Sequence, residues 1–267
     1  ATNGTLSVTG QGGAASGSSN YGVNVTDGKI VNTNGAVTTV SGTGGTGTHS
    51  NYGVFISGAT GKIENAQGTM TVTGQGGNGS GATQAGIRLN TGAQINSTST
   101  GLLTVNGTGG TGTNSNSGVL VTGTNSKISV VNGNLSLIGQ GGTATGSSSF
   151  GVQLTSGGQV TSTGTGTLNI TGTGGTGTDS NLGLGITGVN SQINSVNGNI
   201  VINAQGGGGV GVGWNNYGAS LDTQGKILTT GTGTIDITAT GGNGANNNYG
   251  LIVHSTGAAI TSADGDI

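Results

Sequence analysis

Side chains able to move protons, attack a carbonyl or hold a metal are scarce in this chain and widely spaced. The two histidines are His49 and His254, cysteine is absent, and the carboxylates Asp27, Glu64, Asp179, Asp222, Asp236, Asp264 and Asp266 are scattered. Nucleophilic and acid–base catalysis both need groups gathered within hydrogen-bond reach or across one scissile bond. Asp222 and Asp236 are the carboxylates whose place in the chain lets them approach each other, and two carboxylates alone are weak ground for hydrolysis. Gly174-Gly175-Thr176-Gly177-Thr178-Asp179 matches the opening of a calcium-binding nonapeptide repeat. The next nine residues do not continue it, and the equivalent places elsewhere hold His49 and Asn114. Calcium needs several oxygen ligands with carboxylates among them, so no metal site is expected here. The expectation is a chain with no catalytic, cofactor-binding or metal-ligating residues, and therefore not an enzyme. The Asn-x-Ser/Thr triplets at Asn3 and Asn78 are what a composition so rich in Asn, Ser and Thr produces by chance.

What the sequence does contain is a repeat. Gly-Gln-Gly-Gly or Gly-Thr-Gly-Gly opens at Gly10, Gly42, Gly74, Gly107, Gly139 and Gly172, with degenerate copies at Ala204 and Ala239. The intervals are 32, 32, 33, 32, 33, 32 and 35 residues. A period of this size, held from end to end, describes a solenoid whose coils stack on their neighbours. Residues 1–267 thus read as one continuous segment of eight repeats, part of a longer fibre or a subunit that stacks end to end.

Each repeat carries three short strand signals. The first follows a glycine, as in Gly22-Val23-Asn24-Val25, Gly53-Val54-Phe55-Ile56, Gly86-Ile87-Arg88-Leu89, Gly151-Val152-Gln153-Leu154 and Gly250-Leu251-Ile252-Val253. Its first and third residues are apolar and the second varies, which is the period-two alternation of a half-buried strand. The second strand has one aliphatic in every repeat: Ile30, Ile63, Ile95, Ile128, Val160, Ile193, Ile227 and Ile260. The third has a pair before the marker, such as Met70 and Val72 or Leu103 and Val105. Three strands per coil, joined by Gly, Asn, Thr and Ser, predict an all-β fold: a parallel β-helix of eight coils of about 32 residues. Right-handedness is the expectation from parallel crossover connections. A lone coil buries about five aliphatics worth roughly 1.5–3 kcal/mol each. Ordering its backbone costs roughly 1 kcal/mol or more per residue. Only an array can be stable.

Composition agrees with order once periodicity is included. Leu, Ile, Val and Phe make 55 of 267 residues and glycine 64, but there are only twelve charged residues, a net charge of −2 and no proline, so the charge signature of disorder is missing. There is no basic footprint for nucleic acid. No apolar run approaches the roughly 18 residues of a membrane span. The absence of cysteine rules out disulfides and thiolate metal sites.

Several columns stand out when the repeats are aligned. Gln11, Gln75, Gln140 and Gln205 alternate with Thr43, Thr108, Thr173 and Thr240, doubling the period and suggesting duplication of a two-coil unit. Lys29, Lys62, Lys127 and Lys226 share a column with Gln94, Gln159, Gln192 and Ala259; this reads as a solvated face, with a cationic stripe for an anionic glycan as the alternative. Tyr21, Tyr52, Phe150, Leu182, Tyr217 and Tyr249 share another, with Ala85 and Ser117. It reads as a stack covering a corner of the core, with carbohydrate stacking as the sharper alternative. Coil seven departs most, through Gly206-Gly207-Gly208-Gly209-Val210-Gly211-Val212-Gly213-Trp214. Trp214 is expected to pack under this loop, the alternative being contact with a neighbouring fibre or ligand.

The recurring segments Gly4-Thr5-Leu6-Ser7-Val8-Thr9-Gly10-Gln11-Gly12-Gly13, Asn20-Tyr21-Gly22-Val23-Asn24-Val25 and Gly28-Lys29-Ile30 resemble the β-strand repeats of very large bacterial surface proteins, the autotransporter passengers and filamentous-haemagglutinin-type adhesins. The resemblance covers the whole chain. It implies export to the cell surface and a stalk or fibre role in adhesion, aggregation or biofilm, and it carries over no functional residue. The expected partners are further coils end to end, laterally bundled rods and surface glycans, with no nucleic acid and no membrane insertion. The competing readings are a ligand-binding solenoid surface for ice or glycan, a polysaccharide lyase or hydrolase, and a phage or virus fibre. An ice-binding array should keep threonine from coil to coil. The outward row Ser7, Thr39, Thr71, Thr104, Ser136, Asn169, Val201 and Asp236 does not.

Overall fold

The computed structural model describes residues 4–209 and 211–267, so the Asn3 triplet and Val210 lie outside the described residues. The period-two strands stack as the sequence requires, in parallel. Sheet 1 runs from Val23–Thr26 to Leu251–Val253, sheet 2 from Lys29–Asn32 to Ala259–Ser262, and sheet 3 from Leu6–Gln11 to Ile235–Thr240; each has eight strands. The result is an all-β solenoid of eight coils. Register never slips: Val54, Ile87, Val119, Val152 and Leu184 follow one another in sheet 1, and Ile63, Ile95, Ile128, Val160 and Ile193 in sheet 2. A one-residue slip would turn every inward side chain outward, so the burial of these aliphatics is what specifies the register. Val54, Ile56, Ile63, Met70 and Val72 are all fully buried in one continuous core.

Three strands per coil hold in every repeat, and four coils add a fourth. Thr46–Gly47, Asn78–Gly79, Thr111–Gly112 and Thr143–Ala144 form a short sheet of their own just after the marker. The sequence there is polar and glycine-rich, without an apolar alternation to announce a strand, because its inward residues Gly47, Gly79 and Gly112 face the amides of Asn51, Gln84 and Asn116 rather than an apolar core.

The marker itself has a steric cause. Its first glycine is the last residue but one of the sheet 3 strand, where the chain passes the glycine that precedes the sheet 1 strand in the same coil. A Cβ on Gly42 would stand 2.1 Å from the Gly53 carbonyl oxygen, and one on Gly107 2.2 Å from that of Gly118. Two glycine columns therefore meet at this corner through the first six coils, where a Cβ would collide with the facing backbone, and only the methyl groups of Ala204 and Ala239 enter the column in the last two. Beyond the marker, Gln75 Nε2 donates to the carbonyls of Gly76 and Gly109 at 3.3 and 3.5 Å, and Gln205 Nε2 to those of Gly206 and Gly241 at 3.2 and 3.1 Å. Those two glutamines of the alternating Gln/Thr column tie each coil to the next.

A second column runs through the interior. The residue before the aromatic position is Asn20, Asn51, Gln84, Asn116, Ser149, Asn181, Asn216 and Asn248 in successive coils, and the six central ones are completely buried. Each backbone N–H donates to the side-chain oxygen of the next coil: Asn51 to Gln84 Oε1 at 2.9 Å, Gln84 to Asn116 Oδ1 at 3.0 Å, Asn116 to Ser149 Oγ at 3.3 Å, and Asn181 to Asn216 Oδ1 at 2.9 Å. The chain is continuous from Asn20 to Asn248. A buried backbone N–H must find a partner, and this ladder supplies one where the coil turns away from its sheets. The turn has a cost. The residue preceding each ladder position is left-handed and never glycine, with φ from 54° at Ser180 to 68° at Ser19 and Thr83. That conformation costs an L-residue roughly 1–2 kcal/mol.

Candidate functional site

The columns expected to matter are placed as follows. The lysine column stacks in register on sheet 2 as Lys29, Lys62, Gln94, Lys127, Gln159, Gln192, Lys226 and Ala259. Lys29 and Lys62 are adjacent like charges, and Glu64 beside Lys62 accepts a 2.6 Å salt bridge from it. With both side chains about a quarter exposed, such a pair contributes at most about 1 kcal/mol.

The turn position at which His49, Asn114 and Asp179 interchange does one job with three side chains. His49 Nδ1 accepts from the Ala82 backbone N–H at 2.9 Å, Asn114 Oδ1 from Ser147 at 2.8 Å, and Asp179 Oδ1 from Trp214 at 2.8 Å. The position requires an acceptor for the next coil's N–H, which explains why a histidine, an amide and a carboxylate serve equally. In the calcium-like segment, Asp179 thus spends an oxygen on the backbone, and no group of three or more His, Cys, Asp or Glu comes together among the described residues.

Trp214 corrects its expectation. It is 57% exposed and does not pack under its loop, because that loop is glycine-rich and brings few side chains to cover an indole. Asp222 and Asp236 lie on different sheets, Asp222 in the sheet 1 strand Ala219–Asp222 and Asp236 opposite Val201 in sheet 3. Asp222 instead approaches His254, one coil further on.

The aromatic column forms two separate stacks. Near the start, Tyr21 and Tyr52 lie parallel with centroids 5.2 Å apart, and Phe55 leans on both. Arg88 sits over the Tyr52 ring and donates to its hydroxyl. Phe55 and Arg88 come from the outward column of sheet 1, so here that column fills the corner beside the tyrosines. Toward the end, Tyr217 and Tyr249 stack at 5.6 Å. The outward column there continues as Gln153, Gly185 and Ser220. The Phe150 ring lies over Gly185, where a Cβ would meet it at 2.6 Å, and beside it a notch of about 260 Å³ opens along the column. Phe150, Leu182, Tyr217, Gly185, Asp222 and His254 are among its walls.

Ser220 Oγ lies 3.4 Å from His254 Nε2, and His254 Nδ1 lies 3.9 Å from Asp222 Oδ1. The order of groups is that of an acyl-transfer triad, but 3.9 Å is too long for the hydrogen bond that orients the imidazole, and the Ser255 hydroxyl approaches the same Nδ1 at 3.3 Å. These contacts make a polar wall rather than a relay. A hydrogen bond from Ser255 is the main cause that holds the Asp222 carboxyl below its usual range, against desolvation and with help from Thr223 and His254. Asp222 is therefore an ionised acceptor at neutral pH.

The Tyr217 hydroxyl donates to Asn215 Oδ1 at 2.9 Å. Burial, and secondarily the neighbouring Tyr249, push its ionisation above the usual 10.0. A folded-state value above the unfolded one favours the fold fully below about pH 10, and that contribution is lost as pH rises through the folded pKa. In Tyr249→Phe the midpoint of Tyr217, followed by NMR of its ring carbon, should fall but stay above 10.0, since burial is the larger cause. A midpoint unmoved by the substitution would show that Tyr249 is not felt.

Against family models, curated proteins and solved structures alike, the chain finds no match. Its site must be read from its own geometry. The notch has no distinct signature along the chain, because glycine and serine are common throughout these repeats and nothing marks two of them as neighbours. The one signal is that Gly185 and Ser220 are successive small residues in the outward column of sheet 1.

Proposed function

We propose that the chain is a segment of an extracellular structural fibre or adhesin stalk, exported to a bacterial cell surface and serving attachment, aggregation or biofilm without catalysis or cofactor. The observation that carries this reading is the unbroken register of three parallel sheets over eight coils, tied internally by the amide ladder. Stacking of identical units gives a quasi-one-dimensional rod whose stiffness comes from nearest-neighbour contacts. The same hydrogen bonds would join a further coil, whether supplied by more chain or by another copy. Outward rows of Thr, Ser, Asn and Gln with few charges offer little repulsion to lateral bundling. The resemblance to large bacterial surface repeats supports the location. The second reading, a ligand-binding solenoid, takes its support from the notch in coils five to eight rather than from any threonine array.

Electron microscopy of the purified protein at neutral pH tests the fibre reading. The expected result is thin fibres of uniform width with an axial subunit repeat near 38 Å, eight coils at about 4.8 Å each. Discrete rods that remain monomeric at high concentration would overturn self-assembly by this segment.

A further inference from the structure

A purely structural repeat has no reason to concentrate its irregularities, yet here they gather at one corner. The longest marker interval, from Ala204 to Ala239, delivers the loop that carries the only tryptophan. The residue after it, Asn215, lines the notch, and Trp214 itself stands 57% exposed. The outward column of sheet 1 drops to glycine and serine at Gly185 and Ser220 and nowhere else to so little bulk. Asp222 and His254 meet on the same rim. At the opposite end the same corner is closed by Phe55 and Arg88. The outward column itself therefore fills the corner in early coils, whereas in late ones Phe150 covers Gly185 and a notch remains beside it, with different chemistry around it.

That chemistry selects a ligand class. Phe150, Leu182 and Tyr217 give apolar walls. Asp222 supplies acceptors, while Gln153 and Asn215 supply both donors and acceptors. Aromatic walls with a few convergent polar groups are the pattern of a small-ligand site. The volume lies just below the roughly 300–1,000 Å³ of drug-sized sites, which suits one ring or a ring with part of its neighbour. No lysine or arginine lines the notch, which disfavours phosphate, sulfate and carboxylate ligands. We infer that this notch is a binding site for a neutral saccharide unit, its apolar face against Tyr217 and Phe150 and its hydroxyls directed to Asp222, Asn215 and Gln153. Bound glycan would make the late coils a lectin-like contact on the side of the rod, leaving both ends of the stack free. The inference does not depend on fibre formation.

The test is NMR titration of the soluble chain with glucose, galactose and N-acetylglucosamine, each as the free sugar and as its trimer. At least one is expected to shift the amides of coils five to eight, saturating in the millimolar range. Tyr217→Leu installs the residue that this column already holds at Leu182, so the fold is retained, and Asp222→Asn keeps the shape while removing the charge. Each should weaken binding about tenfold or more, the loss of one good contact. Tyr21→Leu, in the filled end of the same column, should leave binding unchanged. The inference is overturned if no sugar produces saturable shifts, or if Tyr21→Leu weakens binding as much as Tyr217→Leu.

Discussion

Gly107→Val should split the solenoid into two unfolding blocks. The valine Cβ would fall 2.2 Å from the Gly118 carbonyl oxygen and 2.6 Å from Val119 Cγ2, so the backbone of coil four must open at that corner. Overpacking a well-packed interior costs about 1–3 kcal/mol, and a collision with backbone belongs at the upper end or beyond. In a stack held by nearest-neighbour contacts the damage is local, which separates coils one to three from coils five to eight. Denaturant unfolding should change from one transition to two, with proteolysis concentrated in coil four. Gly107→Ala should do the same more weakly, since Ala204 and Ala239 occupy this column in the last two coils. A single transition with an unchanged midpoint in the valine variant would refute the steric account of the marker.

Asn116→Leu should rank next. Asn116 is fully buried, accepts the Gln84 N–H and donates through Nδ2 to the Thr143 carbonyl at 3.1 Å. Leucine has nearly the same size but neither group, so an N–H and a carbonyl lose their partners together. A buried polar group left without a partner costs about 1–3 kcal/mol, which applies to the Gln84 N–H, whereas the carbonyl of the exposed Thr143 can turn to water. The gain from the added apolar surface offsets part of this. Asn116→Ser should recover much of the stability, because Ser149 serves in the same column. Amide exchange at Gln84 offers a local readout: its protection should fall in the leucine variant while that of coil eight is unaffected. If both variants were as stable as the parent, the ladder would contribute nothing.

Part of this architecture was legible in the residues. The alternation in Val54-Phe55-Ile56 and the lone aliphatic at Ile63 name their strands, because burial on one face repeats every two residues. The lysine and Gln/Thr columns were legible for the same reason, and register bears them out. The amide ladder was equally present in Asn51, Gln84 and Asn116 but went unread, since a polar residue in a glycine-rich loop carries no sign that it is buried. Trp214 was misread in the opposite direction: a tryptophan suggests burial, and the loop beside it has too few side chains to provide it. The two-residue strands after the marker gave no pattern, being too short to show a period.

The notch shows where sequence reasoning stops. Asp222 and His254 are 32 positions apart, as are Gln153 and Gly185, and neither pair looks connected along the chain. The period, the strand positions and the apolar side chains that face the core are all written along the chain, because each follows from local alternation repeated at a fixed interval. Which outward side chains meet, and whether they fill the space between them, is settled by the stacking of one coil on the next. That outcome depends on the sizes of neighbours one coil apart: Arg88 covers Tyr52, whereas Gly185 leaves its place to the Phe150 ring and a notch beside it.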